Sequence, residues 1–307
     1  GWIKRALVGG ALIVVGQGEK CPMLSELHQK WLESRKIDLN QAIHMDICSA
    51  RRGEDGRVIP DDKGDILCMP YLRDGEEVAV KYRGPSKKFW QKENGLKQFF
   101  NRDILLDPVL YDGTHHLCIV EGEMDALAVM SAGYPWVVSV PDGAPPPRDG
   151  DGQLIRVPDG TADINPETDT KFSYLLADWE LLSKVKKIVI AVDSDEAGRR
   201  LSAELVRRLD PVRCSFVTFP EDCKDLNDVL IKHGPHKVTE TIKGAKPVPI
   251  NGLYKASDFP PQPPLETVST GWRGLDDILR PYLGAFMVVG GFPGHGKSSW
   301  TMQLAAK

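Results

Sequence analysis

Two stretches decide how this sequence is read: Val120-Glu121-Gly122-Glu123-Met124-Asp125 and Val192-Asp193-Ser194-Asp195-Glu196-Ala197-Gly198. Each follows a short apolar, β-branched run, Leu117 to Val120 in the first case and Lys187 to Val192 in the second, and each opens a helix-like stretch. Working outward, Trp136 to Pro141 and Cys214 to Phe219 are further strand-like runs. Helical spacing is found at Asp125 to Ser131, Ser173 to Lys184, Glu196 to Leu209 and Asn227 to His233. That alternation predicts an α/β fold, a mostly parallel sheet with helices on both faces and ligands at the carboxyl ends of its strands. Parallel strands point the same way, so Glu121, Asp193 and Asp195 are expected to converge at one edge. Asp225, after the fourth strand, adds another acid there. Carboxylates brought together repel unless a cation neutralises them, and hard oxygen ligands select Mg²⁺ or Mn²⁺. Glu123 and Glu196 read instead as acids that favour helix N-termini.

The rest of the composition sets bounds. The chain has 307 residues, enough for about two domains. With 41% hydrophobic and 27% charged residues it is neither a disordered tail nor a membrane bundle. A net charge of −4 rules out a global basic field, so nucleic-acid contact must come from a local patch. The segment Arg73 to Arg102 is such a patch, with eight Lys or Arg against four acids, interleaved with Phe89, Trp90, Phe99 and Phe100. Cationic side chains meet phosphates and aromatic faces stack on unpaired bases, which makes Arg83, Lys87, Lys88, Trp90 and Lys97 candidate single-strand contacts. The plainer alternative is a solvated hairpin with core aromatics. Ile66 to Leu72 and Glu77 to Tyr82 flank Asp74-Gly75, a strong hairpin signal, and residues 24 to 47 read as two short helices.

The six cysteines contain no C-x-x-C pair, so no structural zinc module is expected, and they read as reduced, buried thiols. Lys4-Arg5 and the apolar run to Val15 are too short to span a bilayer and lack a good cleavage site. Residues 1–22 are expected to be upstream, non-native sequence, with Met23 a natural start. Residues 142–170, rich in Pro, Gly and acid, read as a mobile insertion, and residues 244–270, with six prolines, as an inter-domain linker. Beyond it, Gly291-Phe-Pro-Gly294-His-Gly296-Lys297-Ser298 satisfies G-x-x-x-x-G-K-S between a strand-like Phe286 to Val289 and a helical Ser299 to Ala306. Freed backbone N–H groups would wrap the phosphates of ATP or another NTP, with Lys297 supplying charge and Ser298 a magnesium ligand.

The Glu-Gly strand end followed by an Asp-x-Asp strand end resembles the Toprim domain of primases, topoisomerases and some nucleases. In that family the Glu is proposed to act as general acid or base and the Asp pair to bind metal, roles that fall here on Glu121, Asp193 and Asp195. With the Arg83 to Phe100 block, Val138-Ser-Val-Pro-Asp-Gly143 and Lys224-Asp225-x-Asn227, the chain resembles phage-type and Twinkle-like DNA primase-helicases. Ser269 to Asp276 resembles the lead-in to a DnaB-like motor. The resemblance implies a basic helical and hairpin subdomain (23–110), a Toprim domain (111–243), the linker, and the start of a RecA-like domain (271–307). It implies DNA replication on single-stranded DNA and nucleotides, other replication proteins as partners, a hexameric ring for the full-length protein, and no membrane. The location would be the cytoplasm of a bacterial or phage-infected cell, or a mitochondrial nucleoid. Residues 271–307 are expected to be poorly packed and unproductive in ATP hydrolysis, as the front of a longer protein. Phage enzymes that prime carry an N-terminal zinc module, which these cysteines cannot build. A catalytically silent, strand-binding Toprim module is therefore a second reading, and a Toprim nuclease or topoisomerase a third.

Overall fold

The computed structural model describes residues 4–8, 11–15, 24–143, 171–249 and 266–306. The chain divides into two compact units, Gly1–Ile250 and Asn251–Lys307. Most of the expected insertion and linker, residues 144–170 and 250–265, lies outside the described residues, as do Met23 and most of the stretch before it.

The first unit opens with β1 (Lys4–Val8) paired antiparallel to β2 (Ala11–Val15). Next come α1 (Glu26–Ser34) and α2 (Leu39–His44), the two helices read from the sequence. Ser25 caps α1 and Asp38 caps α2, each side chain accepting from a backbone N–H of the first turn. A five-stranded antiparallel sheet follows: β3 (Cys48–Arg52), β4 (Val58–Pro60), β5 (Ile66–Arg73), β6 (Glu76–Arg83) and β7 (Phe89–Gln91), in the order β4-β3-β5-β6-β7. The β5–β6 hairpin turns at Asp74 and Gly75, both at positive φ (54° and 79°), as the dipeptide led us to expect. The edge strands β4 and β7, and β3 beside β4, are too short, and too poor in alternation, to be legible in sequence.

The second sheet carries the α/β reading. Its elements are β8 (Leu117–Val120), α3 (Glu123–Ser131), β9 (Val137–Ser139), α4 (Ser173–Ala177), α5 (Trp179–Leu182), β10 (Ile188–Ala191), α6 (Glu196–Leu209), β11 (Cys214–Phe216), α7 (Leu226–His233), α8 (Pro235–Lys243) and β12 (Lys246–Pro247). The strand order is β12-β11-β10-β8-β9, all parallel except the short antiparallel edge β12. Every residue of β8 and β10 is buried, as a sheet covered on both faces requires. Cys118, Val120, Val189 and Ala191 face one core with α3, α7 and α8. Leu117, Ile119, Ile188 and Ile190 face the other, with α4, α5 and α6.

Three expectations are corrected. The helix read over Ser173 to Lys184 is broken at Asp178, whose buried carboxylate is held by Arg102 (2.8 Å) and Arg73 (3.4 Å). The linker read from residue 244 begins later, because Lys246 and Pro247 pair with Phe216 and Ser215. Phe99 and Phe100 do not line the surface; both are fully buried, Phe100 pairing through its backbone with Ser139. The described cysteines, Cys48, Cys68, Cys118, Cys214 and Cys223, are free and buried.

In the second unit, α9 (Arg273–Asp276) and α10 (Lys297–Ala305) are described. Trp272 stacks on Trp300 at 6.1 Å, and Asp276 accepts from the hydroxyls of Ser269 and Thr270. The strand expected over Phe286 to Val289 does not form. With no strand beside it among the described residues its backbone has no ladder partner, and Phe286 is 93% exposed.

Candidate metal centre and nucleic-acid face

In the parallel sheet, Val120 and Ala191 are register partners on adjacent strands. Glu121 therefore leaves the end of β8 beside the Val192-Asp193 end of β10. The chain runs from β8 outward to β9 on one side, while β10 and β11 build the other, so these ends form the crevice where α/β sheets collect ligands. Asp195 caps α6, accepting from Gly198 N at 2.8 Å, and Asp225 caps α7, accepting from Asp228 N at 2.6 Å. The loop carrying Asp225 is tied to the Asp-x-Asp loop by Ser194 N donating to Lys224 O at 3.1 Å.

Electrostatics register the crowding. Asp193 is pushed up to about 6, by burial first and then by Glu121, Asp225 and Asp195, against the pull of Lys224. Asp125, four residues after Glu121 in α3, is raised well above the carboxylate range by burial and by Asp225 and Asp193. Asp125 is not marked by a strand end as Glu121 is, but its spacing returns it to the Glu121 side after about one helical turn. Among the described residues no three of these acids bring ligand oxygens within 4.8 Å of one another. Like charges ring the crevice rather than closing it. A donor set made only of carboxylate oxygens, each destabilising the next, fits Mg²⁺ or Mn²⁺.

Cations line the other side. Lys97 pairs with Asp142 at 2.5 Å, and Lys171 is lowered by burial and by neighbouring Lys97 and Lys81, while Asp142 and Glu121 oppose that shift. Lys81 bonds Glu123 at 2.8 Å, and the Tyr71 hydroxyl donates to the same oxygen. Glu123 is thus no mere helix-terminus acid: it is buried and anchors Lys81 beside the crevice.

The pleat of β6 and β7 divides the basic block. Arg83 pairs with Phe89 and Lys81 with Gln91, whereas Trp90 pairs with Tyr82 on the opposite face. Trp90 stacks on Tyr82 at 5.4 Å with Arg52 over its ring, against a small core of Cys48, Ile66, Cys68 and Val80. Lys87 and Lys88 are exposed on the β6–β7 turn. On the Arg83 face, the Arg83 guanidinium lies 4.0 Å from the Trp31 ring and 6.0 Å from Phe89, which is 51% exposed. Arg35 lies 4.9 Å from the same Trp31 ring and donates to Asn227 Oδ1 at 2.6 Å, while Asn227 N donates to Asp125 at 3.2 Å. Arg83 is lowered by burial and by Arg35, two like charges sharing one indole. Neither guanidinium makes an ion pair among the described residues. Nothing in the spacing of Trp31 and Arg35, which lie on or beside α1 about fifty residues before Arg83, ties them to the basic block.

Residues 115–218 match the Toprim domain family. The chain is 35% identical over 263 residues to a Twinkle homolog protein, chloroplastic/mitochondrial, of Arabidopsis thaliana, covering 80% of this chain and 35% of that protein. It carries a Toprim domain and is related to Twinkle-type proteins. A primase homolog protein of the same plant is 38% identical over 191 residues, 60% of this chain and 52% of that one. The chain thus spans about a third to a half of the curated relatives it matches. The fold of its Toprim-bearing unit is also that of the Aquifex aeolicus primase, zinc-binding and RNA polymerase domains, with a TM-score of 0.52 at 17% identity over 72% of this chain and 56% of that one.

In the second unit, Gly294 and Gly296 adopt positive φ (81° and 76°) and Gly296 leads into α10. Lys297 Nζ donates to the carbonyls of Gly291 and Phe292, both at 2.8 Å, and Ser298 is exposed at the helix start.

Proposed function

We propose that this chain is the primase-like portion of a replication primase-helicase, joining ribonucleotides on single-stranded DNA at the β8/β10 crevice. The observation that carries this reading is the meeting of Glu121 and Asp193 at adjacent strand ends, with the Asp193 carboxyl pushed up to about 6 by burial and then by its acidic neighbours. Asp193, Asp195 and Asp225 would hold Mg²⁺ or Mn²⁺, which supplies positive charge to phosphoryl oxygens. Glu121 would act as the general acid or base, and Lys81, Lys97 and Lys171 would neutralise a triphosphate. Arg83, Arg35, Trp31 and the exposed Phe89 offer phosphate contacts and a stacking platform for the template. Lys87 and Lys88 extend that charge as flexible contacts, while Trp90 supports the sheet from behind. Gly291, Gly294, Gly296, Lys297 and Ser298 would take the phosphates of ATP for a motor domain, and a ring of six subunits would assemble through that domain. The names of the relatives favour an organelle as the place of work.

The test is primer synthesis from ribonucleotides on a single-stranded template with Mg²⁺. Product from the parent chain and none from Asp193→Ala supports the reading. A second reading rests on the Arg83–Trp31–Arg35 array, which needs no metal: a silent Toprim module that holds DNA for a helicase. It is supported if neither protein makes primers while both bind single strands alike. Metal-dependent strand nicking lost in Glu121→Ala would favour a nuclease instead.

A further inference from the structure

Just before Asp225 in the chain, and at the far end of α7, three donors of a different chemical kind come together. Asp222 and Cys223 occupy the turn before α7, and His233 is the last residue of that helix. Asp222 Oδ1, Cys223 Sγ and His233 Nε2 all lie within 4.8 Å of one another, the one such trio among the described residues. His233 Nε2 and Asp222 Oδ1 are hydrogen-bonded at 2.9 Å, and Cys223 Sγ donates to the same oxygen at 3.5 Å. Cys223 is buried, whereas Asp222 and His233 border solvent, which leaves an open side for water. Lys232 donates to the Asp222 carbonyl and so holds the turn against the helix end before any ion arrives.

Ligand chemistry separates this trio from the carboxylate crevice. Sulfur and imidazole nitrogen favour Zn²⁺ over Mg²⁺. Tetrahedral zinc, with bonds of about 2.3 Å to sulfur and about 2.0 Å to nitrogen or oxygen, sets its ligand atoms roughly 3.3–3.6 Å apart, so the trio needs only small side-chain movements. No paired cysteines mark a zinc site in the sequence; here a Cys and a His ten residues apart are joined by the length of one helix.

We propose that Asp222, Cys223 and His233, with one water, form a Zn²⁺ site that staples the Pro220–Asp225 turn to the far end of α7. Binding forms a zinc–sulfur bond and releases the Cys223 thiol proton to solvent, with no change of oxidation state. The consequence lies one step away. The stapled turn continues into Lys224, whose carbonyl accepts from Ser194, and into Asp225, so zinc would fix the loop that presents an acid to the crevice. That consequence rests on the proposed role of Asp225; the zinc site itself does not.

The experiment is a titration of the metal-free, full 307-residue chain with Co²⁺, then Zn²⁺, followed by absorption. We expect one equivalent of Co²⁺ to give a thiolate-to-cobalt charge-transfer band and tetrahedral ligand-field bands, displaced by one equivalent of Zn²⁺. Cys223→Ser should remove the thiolate band. His233→Asn, an exposed change that leaves the fold intact, should weaken Zn²⁺ at least roughly 100-fold, since even outer-sphere partners of a metal are worth 10–100-fold. The paired substitution Asp193→Asn with Asp195→Asn should leave both bands and affinity unchanged, which keeps this result separate from the fate of the primase reading. No thiolate band, a band that survives Cys223→Ser, or equal Zn²⁺ affinity in His233→Asn would mean an adventitious ion only and overturn the proposal.

Discussion

At Asp193 the protein holds a proton more tightly when folded than when unfolded. Its carboxyl is displaced upward from 3.8 to about 6 by burial and by Glu121, Asp225 and Asp195. Metal-free stability from this group is therefore fully present below about pH 4 and lost as pH rises through about 6. Asp193→Asn should stabilise the metal-free chain at neutral pH by on the order of 1–2 kcal/mol, the pKa displacement discounted for solvent at a half-buried group, and should do nothing near pH 4. Denaturant titrations at the two pH values check this, and an equal effect at both would contradict it. Glu123 gives the opposite case. Removing it leaves the Lys81 ammonium and the Tyr71 hydroxyl buried without their shared acceptor, so Glu123→Ala should cost about 3 kcal/mol in the same measurement. Glu121 and Asp193 stand out in the sequence because each sits where an apolar run ends, with Asp195 two residues on and Asp225 in the loop after the fourth run. The work of Glu123 could not, because its partners lie 42 and 52 residues upstream in another sheet.

The helix α6 is fitted to the metal loop by absence of a side chain. A Cβ at Gly198 would lie 1.9 Å from the Asp193 carbonyl oxygen, so helix and loop touch backbone to backbone. Gly198→Ala must push α6 away, at about 1–3 kcal/mol, and move Asp195, which caps the same turn, out of reach of the crevice. Calorimetry should find weakened Mn²⁺ binding beyond what the stability loss explains; unaltered binding would refute the tight fit. On the antiparallel sheet, alternation determines which side chains can meet a strand. Arg83→Ala and Phe89→Ala, on the face with Trp31 and Arg35, should each weaken single-stranded DNA by about 1–3 kcal/mol, and only the first should flatten the salt dependence. Trp90→Ala should cost stability instead, as its ring packs on Tyr82. Anisotropy titrations at two salt concentrations distinguish these outcomes. The basic block was legible as composition, but its faces were not, since β7 is only three residues long and its register depends on pairing with β6.

At the scale of the molecule, the two sheets share one core. Met69, Tyr71 and Ala79 of the antiparallel sheet pack in the same cluster as Val120, Leu127 and Val189 of the parallel one, which binds the cationic face to the acidic crevice. A chain ending at Val248 should therefore unfold in one cooperative step and keep its affinity for Mn²⁺. The α/β order was readable because buried parallel strands are continuous apolar runs. The nucleotide loop was readable as a motif, yet the strand expected before it did not form, since a strand needs neighbours and a motif does not. The central claim is that acids from distant parts of the chain share one divalent ion at the β8/β10 crevice. The most direct measurement is electron paramagnetic resonance of Mn²⁺ titrated into the chain at neutral pH. The account predicts a bound Mn²⁺ population that disappears when Asp193 and Asp195 are both changed to Asn; equal binding by parent and variant, or none by the parent, would contradict it.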